Sequence, residues 1–205
     1  MEVCYNYNKK DMFDSSKYWE NRYKSGLTSG NGSYGFLAEY KAEVINNFIR
    51  DNNINSLLEY GCGDGNQLSK IKCKKILGVD VSKTAIEKCK ILIPEGIFKT
   101  ISSDLTNVEK TELLLSLDVI YHLIDDEIYN NYIGNIINYG SKFLIIYAAN
   151  FEDDGTFAKH VKPRKFTDDQ MLNSKYDLIR FEKNKYPSLN HNQGSFSDWF
   201  FYKLK

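Results

Sequence analysis

The glycines and acidic residues around the first apolar strand are the residues whose types and spacing best predict chemistry. Glu59 precedes glycines at alternate positions (61, 63 and 65), and Asp80 ends the next apolar run. Glycine lets a backbone turn sharply and lets a ligand approach it closely. In a strand–helix–strand unit, an acid at the tip of the second strand typically binds the two hydroxyl groups of a ribose. The pattern predicts a nucleoside-type ligand; the alternative is a glycine turn that only joins a strand to a helix.

The spacing of the glycines distinguishes between nucleoside ligands. A dinucleotide-binding loop has a third glycine where this chain has Asn66, which argues against a nicotinamide oxidoreductase. The pattern E-x-G-x-G-x-G, from Glu59 to Gly65, resembles motif I of the class I methyltransferases that use S-adenosylmethionine. The resemblance extends from about Tyr18 to Leu204 and implies S-adenosylmethionine as the cofactor. A carboxylate beside the loop suits the positive charge of this cofactor.

The resemblance also implies individual contacts with the cofactor. Gly61 and Gly63 would pass under its methionine part, and Asp80 would bind both ribose hydroxyls. Asp104 would meet the adenine amino group, although it could instead cap a helix. In the N-terminal cap, the Tyr18 ring would lie over the cofactor, and Arg22 would pair with the carboxylate of the cofactor. The remaining implied contacts are Glu59, Val81, Leu105 and Asp118.

The segment after the fourth strand, LDVIYHL, resembles a motif of the same family that in some relatives binds a divalent metal. Asp118 and His122 are four residues apart, so one helical turn would bring them together. Tyr121 replaces the glutamate of that motif, and no metal is therefore predicted. His122 is the second candidate for a general base; the alternative is a histidine packed against the cofactor loop.

The basic segment KHVKPRK, residues 159–165, follows the fifth strand. Its charge suits an anionic acceptor such as a phosphate or a nucleotide-linked sugar, and the alternative is a solvated turn. Lys162, Arg164 and, from the glycine-rich loop 30–35, Tyr34 are the predicted acceptor-binding residues. His160 is the first candidate for the general base that a hydroxyl acceptor needs. The pattern H-V-x-x-R-x-F resembles a stretch of sequence in small methyltransferases of surface-glycan biosynthesis.

Alternating strands and helices predict a doubly wound α/β fold with a mostly parallel sheet. The resemblance adds an antiparallel C-terminal edge pair, which makes seven strands, and an N-terminal helical cap. One domain is predicted over 1–205, with the cap and lead-in helix over 1–52, the core over 56–205 and a lid around 149–166. A helix is expected between the first two strands. Three residues are expected to cap helices: Ser15, Ser82 and Thr167.

Composition limits the class of protein. Lys plus Arg and Asp plus Glu both number 27, and a neutral chain is not typical of a nucleic-acid binder. The four cysteines lack C-x-x-C spacing, and the sequence has no long apolar run or signal-peptide pattern. These features predict a cytoplasmic protein with neither nucleic-acid nor membrane partners. The resemblance to the methyltransferases implies an enzyme with a small-molecule acceptor. The alternatives are a nucleic-acid methyltransferase, although the chain lacks a D/N-P-P-Y/F run, and a non-catalytic regulatory domain that binds the cofactor.

Overall fold

A mixed sheet of seven strands forms the centre of the molecule, in the order β3-β2-β1-β4-β5-β7-β6. The computed structural model describes residues 13–101, 105–188 and 194–205. Strands β1 to β5 are parallel, whereas β7 is antiparallel to both β5 and β6. The predicted parallel sheet with an antiparallel C-terminal pair is confirmed. The strands are β1 (Ser56–Tyr60), β2 (Lys75–Asp80), β3 (Ile97–Thr100), β4 (Leu113–Leu117), β5 (Phe143–Ala148), β6 (Tyr176–Glu182) and β7 (Asp198–Leu204).

Helices cover both faces of the sheet, and four of the five α-helices begin after a capping side chain. The α-helices are α1 (Ser15–Lys24), α2 (Gly35–Asp51), α3 (Lys83–Leu92), α4 (Asp126–Tyr139) and α5 (Gln170–Lys175). The predicted cap Ser82 is confirmed, since its side chain accepts a hydrogen bond from the Ala85 amide. The other two predicted caps are wrong. Asp14 and Asp169 cap α1 and α5, because their carboxylates reach the free amides of the first turn.

The helix predicted between β1 and β2 is absent, and one 3-10 turn, Leu68–Lys70, takes its place. Asn46 on α2 explains this difference. Its side chain donates to the Lys70 carbonyl oxygen and accepts from the Lys72 amide, at 3.1 and 2.7 Å. These backbone groups are therefore bonded across the chain and cannot continue a helix.

Two apolar cores lie on opposite faces of the sheet, because neighbouring strand residues point to opposite sides. Leu57 packs with α2 and α3, whereas Leu58 packs with α4 and α5. The helices on the two faces leave the carboxyl ends of β1, β2 and β4 open. The candidate site lies at these strand ends. In the parts of the chain that the structure describes, no helix is both long and apolar enough to cross a bilayer.

Candidate active site

A cavity of about 440 Å³ lies at the carboxyl ends of β1, β2 and β4. In an open parallel sheet this edge is where ligands bind. The cavity wall includes many of the residues singled out from the sequence: Glu59, Gly61, Gly63, Asp80, Val81, Asp118 and His122. Seven others are absent from the wall: Tyr18, Arg22, Tyr34, Leu105, His160, Lys162 and Arg164. Asp104 lies outside the described residues, and its role stays a prediction.

The glycine loop lines the cavity with bare backbone. Gly61 has a φ of +90°, and a Cβ atom there would lie 2.6 Å from a methyl group of Val119. At Gly63 a Cβ atom would lie 2.4 Å from the Ser29 hydroxyl. A side chain at either position would therefore collide with the neighbouring segment. The loop is held close to β2, because the amides of Gly61 and Cys62 both donate to the Val79 carbonyl oxygen.

Asp80 presents its carboxylate at the tip of β2. One oxygen accepts from the Gly63 amide and the other from the Ser82 amide, both at 2.9 Å. Burial raises the pKa of Asp80 to about 6, against the opposing effect of these amides. Each oxygen keeps a second lone pair, so the carboxylate can also accept from two hydroxyl groups.

Glu59 is a second acid of the wall, and it has fewer partners than Asp80. Glu59 is 3% exposed, and its Oε2 atom has no hydrogen-bond partner among the described residues. Burial raises the pKa of Glu59 to about 8, although Lys41 opposes this shift. A buried carboxyl oxygen without a partner is costly, which indicates that it meets a ligand donor or cation.

Asp64 holds the glycine-rich segment 26–34 against the glycine loop. Its Oδ2 atom accepts from the Ser29 amide and the Tyr34 hydroxyl, each at 2.9 Å, and its own amide donates to the Ser29 hydroxyl. Tyr34, a predicted acceptor contact, thus bonds to Asp64 and does not line the cavity. In the sequence, this role of Asp64 was indicated only by the position of the acid between two loop glycines.

Asp118 is paired with a buried lysine. The Lys41 ammonium lies 2.6 Å from Asp118 Oδ2, and the Ser197 hydroxyl donates to Oδ1 at 3.0 Å. Lys41 lies on the apolar face of α2, which was the only sequence signal for this pair. Within the described ranges, no three His, Cys, Asp or Glu side chains are grouped to hold a metal ion.

The two candidate bases lie side by side, but only His122 reaches the cavity. Its Nδ1 atom is 2.7 Å from the His160 carbonyl oxygen. Because a carbonyl can only accept, Nδ1 carries the hydrogen and Nε2 is the free acceptor. Burial lowers the pKa of His122 to about 4, so the ring is neutral near pH 7. The His160 ring stacks between Tyr18 and His122, with centroids 5.1 and 5.7 Å away.

The N-terminal cap contributes an aromatic residue to the cavity wall. Trp19 lines the cavity and meets the His122 ring edge-on at 5.0 Å. Arg22 instead donates to the Thr28 carbonyl oxygen at 2.6 Å, and Leu105 is buried in the α4-side core. Other wall residues that sequence reasoning missed are Ile101, which directly follows β3, and four residues of α4: Ile128, Asn131, Tyr132 and Asn135.

Two cations of the basic segment 159–165 pair with one acid of α4. Lys162 and Arg164 lie 2.7 and 2.6 Å from the Asp126 carboxylate and hold its pKa below the usual value. Arg164 also donates to the Leu123 carbonyl oxygen and lies over the Tyr129 ring. The structure therefore places both cations outside the cavity, and their contact with an acceptor stays a prediction.

Comparisons with known proteins identify the fold. No family model and no curated protein matches the sequence. Among solved structures, the chain is similar to the N-methyltransferase NodS from Bradyrhizobium japonicum WM9 in complex with S-adenosylhomocysteine, at 17% identity and a TM-score of 0.65, over 94% of this chain and 98% of that one. It is also similar to magnesium protoporphyrin IX methyltransferase (ChlM) from Synechocystis PCC 6803 with bound S-adenosylhomocysteine, at 15% identity and a TM-score of 0.65, over 93% and 98% of the two chains.

A third similar structure is the methyltransferase domain of bacterial CtHen1, at 18% identity and a TM-score of 0.60, over 81% of this chain and 98% of that domain. At these identities the likeness shows the fold. The chain therefore has the fold of the class I S-adenosylmethionine-dependent methyltransferases, and the resemblance seen in the sequence is confirmed at that level.

Proposed function

We propose that this protein transfers the methyl group of S-adenosylmethionine to a small-molecule acceptor. The observation that carries the proposal is one cavity that combines the glycine cradle, the Asp80 carboxylate and the unpartnered oxygen of Glu59. These groups fit a ribose diol and a cationic ligand. The complexes of NodS and ChlM with S-adenosylhomocysteine support the same cofactor.

The protein's own part in the reaction is alignment and proton removal. When bound, S-adenosylmethionine supplies a methyl group that its sulfonium has already activated. Asp80 and the loop at Gly61 and Gly63 would fix the position of the cofactor, and Trp19 would exclude water beside it. Holding two reactants in line is the main source of acceleration for such a displacement.

His122 is the stronger candidate for the general base. Its Nε2 atom is unprotonated, and its ring lines the cavity, whereas His160 lies behind it. The His160 carbonyl fixes the tautomer, so His160 acts as a positioning residue in this proposal. A hydroxyl acceptor would give its proton to His122, and an acceptor that is already an anion would need no base.

The anionic acceptor predicted from the sequence depends on the segment 159–165. A phosphate, a phosphoramidate or a nucleotide-linked sugar of surface-glycan biosynthesis would have to replace Asp126 as the partner of Lys162 and Arg164. The cationic character of the segment supports this version of the proposal. An amine or a neutral hydroxyl compound would enter the cavity without that exchange.

Calorimetry with S-adenosylmethionine tests the cofactor site. Asp80→Ala removes the partner of two hydroxyl groups, which costs about 1–3 kcal/mol, so affinity is expected to fall about tenfold or more. Asp168→Ala is the matched control, since this exposed acid pairs with Lys165 away from the cavity. Equal affinities of the two variants would contradict the site.

An acceptor screen tests the activity itself. Formation of S-adenosylhomocysteine is measured with amines, hydroxyl compounds, phosphorylated metabolites and nucleotide sugars. Turnover with any small acceptor excludes a non-catalytic regulatory domain. Turnover with nucleic acid alone would favour the nucleic-acid alternative. Arg164→Ala then distinguishes the acceptor classes, because it raises KM only for an acceptor that displaces Asp126.

A further inference from the structure

The cavity holds more acidic groups than its buried cation can neutralise. Four acids belong to its wall: Glu59, Asp64, Asp80 and Asp118. Among the described residues of the wall there is neither a lysine nor an arginine. Lys41 lies behind the wall, 1% exposed, and is already bonded to Asp118. Acids that share a desolvated space cannot all ionise at little cost, so at least one of them tends to hold a proton.

Hydrogen bonding identifies the acid that holds the proton. Asp80 accepts from two backbone amides, and Asp64 accepts from an amide and a hydroxyl. Asp118 has both an ammonium and a hydroxyl as donors. Such donors stabilise the ionised form. Glu59 Oε2 has no donor at all within the described structure, so ionisation is least favourable there.

We propose that Glu59 is protonated in the protein without cofactor and releases its proton to solvent when S-adenosylmethionine binds, but not when S-adenosylhomocysteine binds. This inference rests on the proposed function, since it concerns the same cavity. S-adenosylmethionine carries one more positive charge, on its sulfonium, than the thioether product. A positive charge in a desolvated cavity favours ionisation of a neighbouring carboxyl group. Glu59 therefore distinguishes the cofactor from its product by charge.

The groups around Glu59 are consistent with this assignment. The charged or titratable residues that face it come from α2, the glycine loop, β2, the segment after β4, and α4: Lys41, Cys62, Asp64, Asp80, Asp118 and Tyr132. Three of these are acids that oppose a second negative charge. Burial and these acids together hold the pKa of Glu59 near 8, above that of Asp80 near 6. At about pH 7.5, Glu59 is therefore the acid that can still release a proton.

The consequence is a pH-dependent preference for the cofactor. As pH rises through the pKa of Glu59, the site becomes negative before the ligand arrives, and affinity for S-adenosylmethionine increases. Affinity for S-adenosylhomocysteine stays nearly constant, because its net charge is zero. The ratio of the two affinities is thus expected to increase between about pH 6.5 and pH 8.5.

Calorimetry in buffers of different ionisation enthalpy counts the protons released. At about pH 7.5, wild-type protein is expected to release about three-quarters of a proton with S-adenosylmethionine, given a pKa near 8, and almost none with S-adenosylhomocysteine. Glu59→Gln should abolish the release while keeping the shape of the side chain. Glu87→Gln, which changes an exposed helix acid, should behave as wild type.

Difference infrared spectroscopy of the wild-type protein gives a second measurement that needs no variant. The protonated carboxyl band is expected to disappear on addition of S-adenosylmethionine and to persist with S-adenosylhomocysteine. Equal proton release with both ligands, or none with either, would overturn the inference while both ligands still bind. Failure of both ligands to bind would instead refute the proposed function, and this inference with it.

Discussion

Replacing Lys41 with methionine is expected to destabilise the protein by about 3 kcal/mol. The Lys41 side chain is 1% exposed, and its ammonium lies 2.6 Å from Asp118 Oδ2. Removal of one partner from a buried ion pair costs about 3–5 kcal/mol, because the other charge stays buried and unpaired. Asp118 is 13% exposed and keeps the Ser197 hydroxyl, which favours the lower end of this range. For a chain of 205 residues, about 3 kcal/mol lowers Tm by about 6–12 °C.

A double-mutant cycle isolates the charge from the loss of packing. Asp118 has a φ of +58°, a conformation that asparagine tolerates, so Asp118→Asn removes the charge without new backbone strain. Lys41→Met combined with Asp118→Asn is expected to recover most of the lost stability. Stability is measured by urea unfolding with circular dichroism.

An exposed pair provides the control for the cycle. Lys90→Met breaks the surface pair of Lys90 with Glu87 and is expected to cost under about 1 kcal/mol. The reasoning is refuted if Lys41→Met costs no more than Lys90→Met. It is equally refuted if the double variant is as unstable as Lys41→Met alone, because the loss would then come from packing.

Three further predictions concern the cavity. Gly61→Ala places a Cβ atom 2.6 Å from Val119 at a φ of +90°, so calorimetry should show at least about a tenfold loss of S-adenosylmethionine affinity; wild-type affinity would contradict the backbone cradle. Glu59 binds its proton more tightly in the folded state, with a pKa near 8 against an ordinary 4.5, so stability should fall as pH rises between these values, and thermal melts of Glu59→Gln should lack this fall. With a hydroxyl acceptor, His122→Ala should lower kcat by about 10²–10⁴. Because burial lowers the pKa of His122 to about 4, the wild-type rate should be flat near neutral pH, and an unchanged kcat in His122→Ala would favour His160.

The cofactor half of the cavity could be predicted because local sequence determines it. Gly61 and Gly63 come shortly after β1, and Asp80 is the last residue of β2. Parallel strands bring their carboxyl ends to one edge of the sheet. Ser82 was recognisable as a cap from its place before an amphipathic helix. The helix predicted after the glycine loop failed for the opposite reason. Its backbone groups are bonded to Asn46, whose position against them only the folded chain reveals.

The ion pairs could not be predicted, because the partners of the charged residues are distant in sequence. Lys162 and Arg164 form a conspicuous basic cluster, yet both pair with Asp126 from another element. Lys41 and Asp118 were not recognisable as a pair either, because they are 77 positions apart in the sequence. A local run of charge therefore indicates a ligand site only where no opposite charge folds against it.

The cap helix α1 links the two halves of the proposed reaction site. Near its start, the Ser15 hydroxyl donates to the His122 carbonyl oxygen at 2.9 Å, and Trp19 packs on the His122 ring. The next residue of α1, Glu20, accepts a hydrogen bond from the Ser82 hydroxyl at 2.6 Å, and Ser82 lies two residues after Asp80. Consequently α1 cannot shift without disturbing either the candidate base or the strand tip that would bind the ribose. Because in-line transfer depends on the distance between those two places, the cap helix would set the alignment in the proposed reaction.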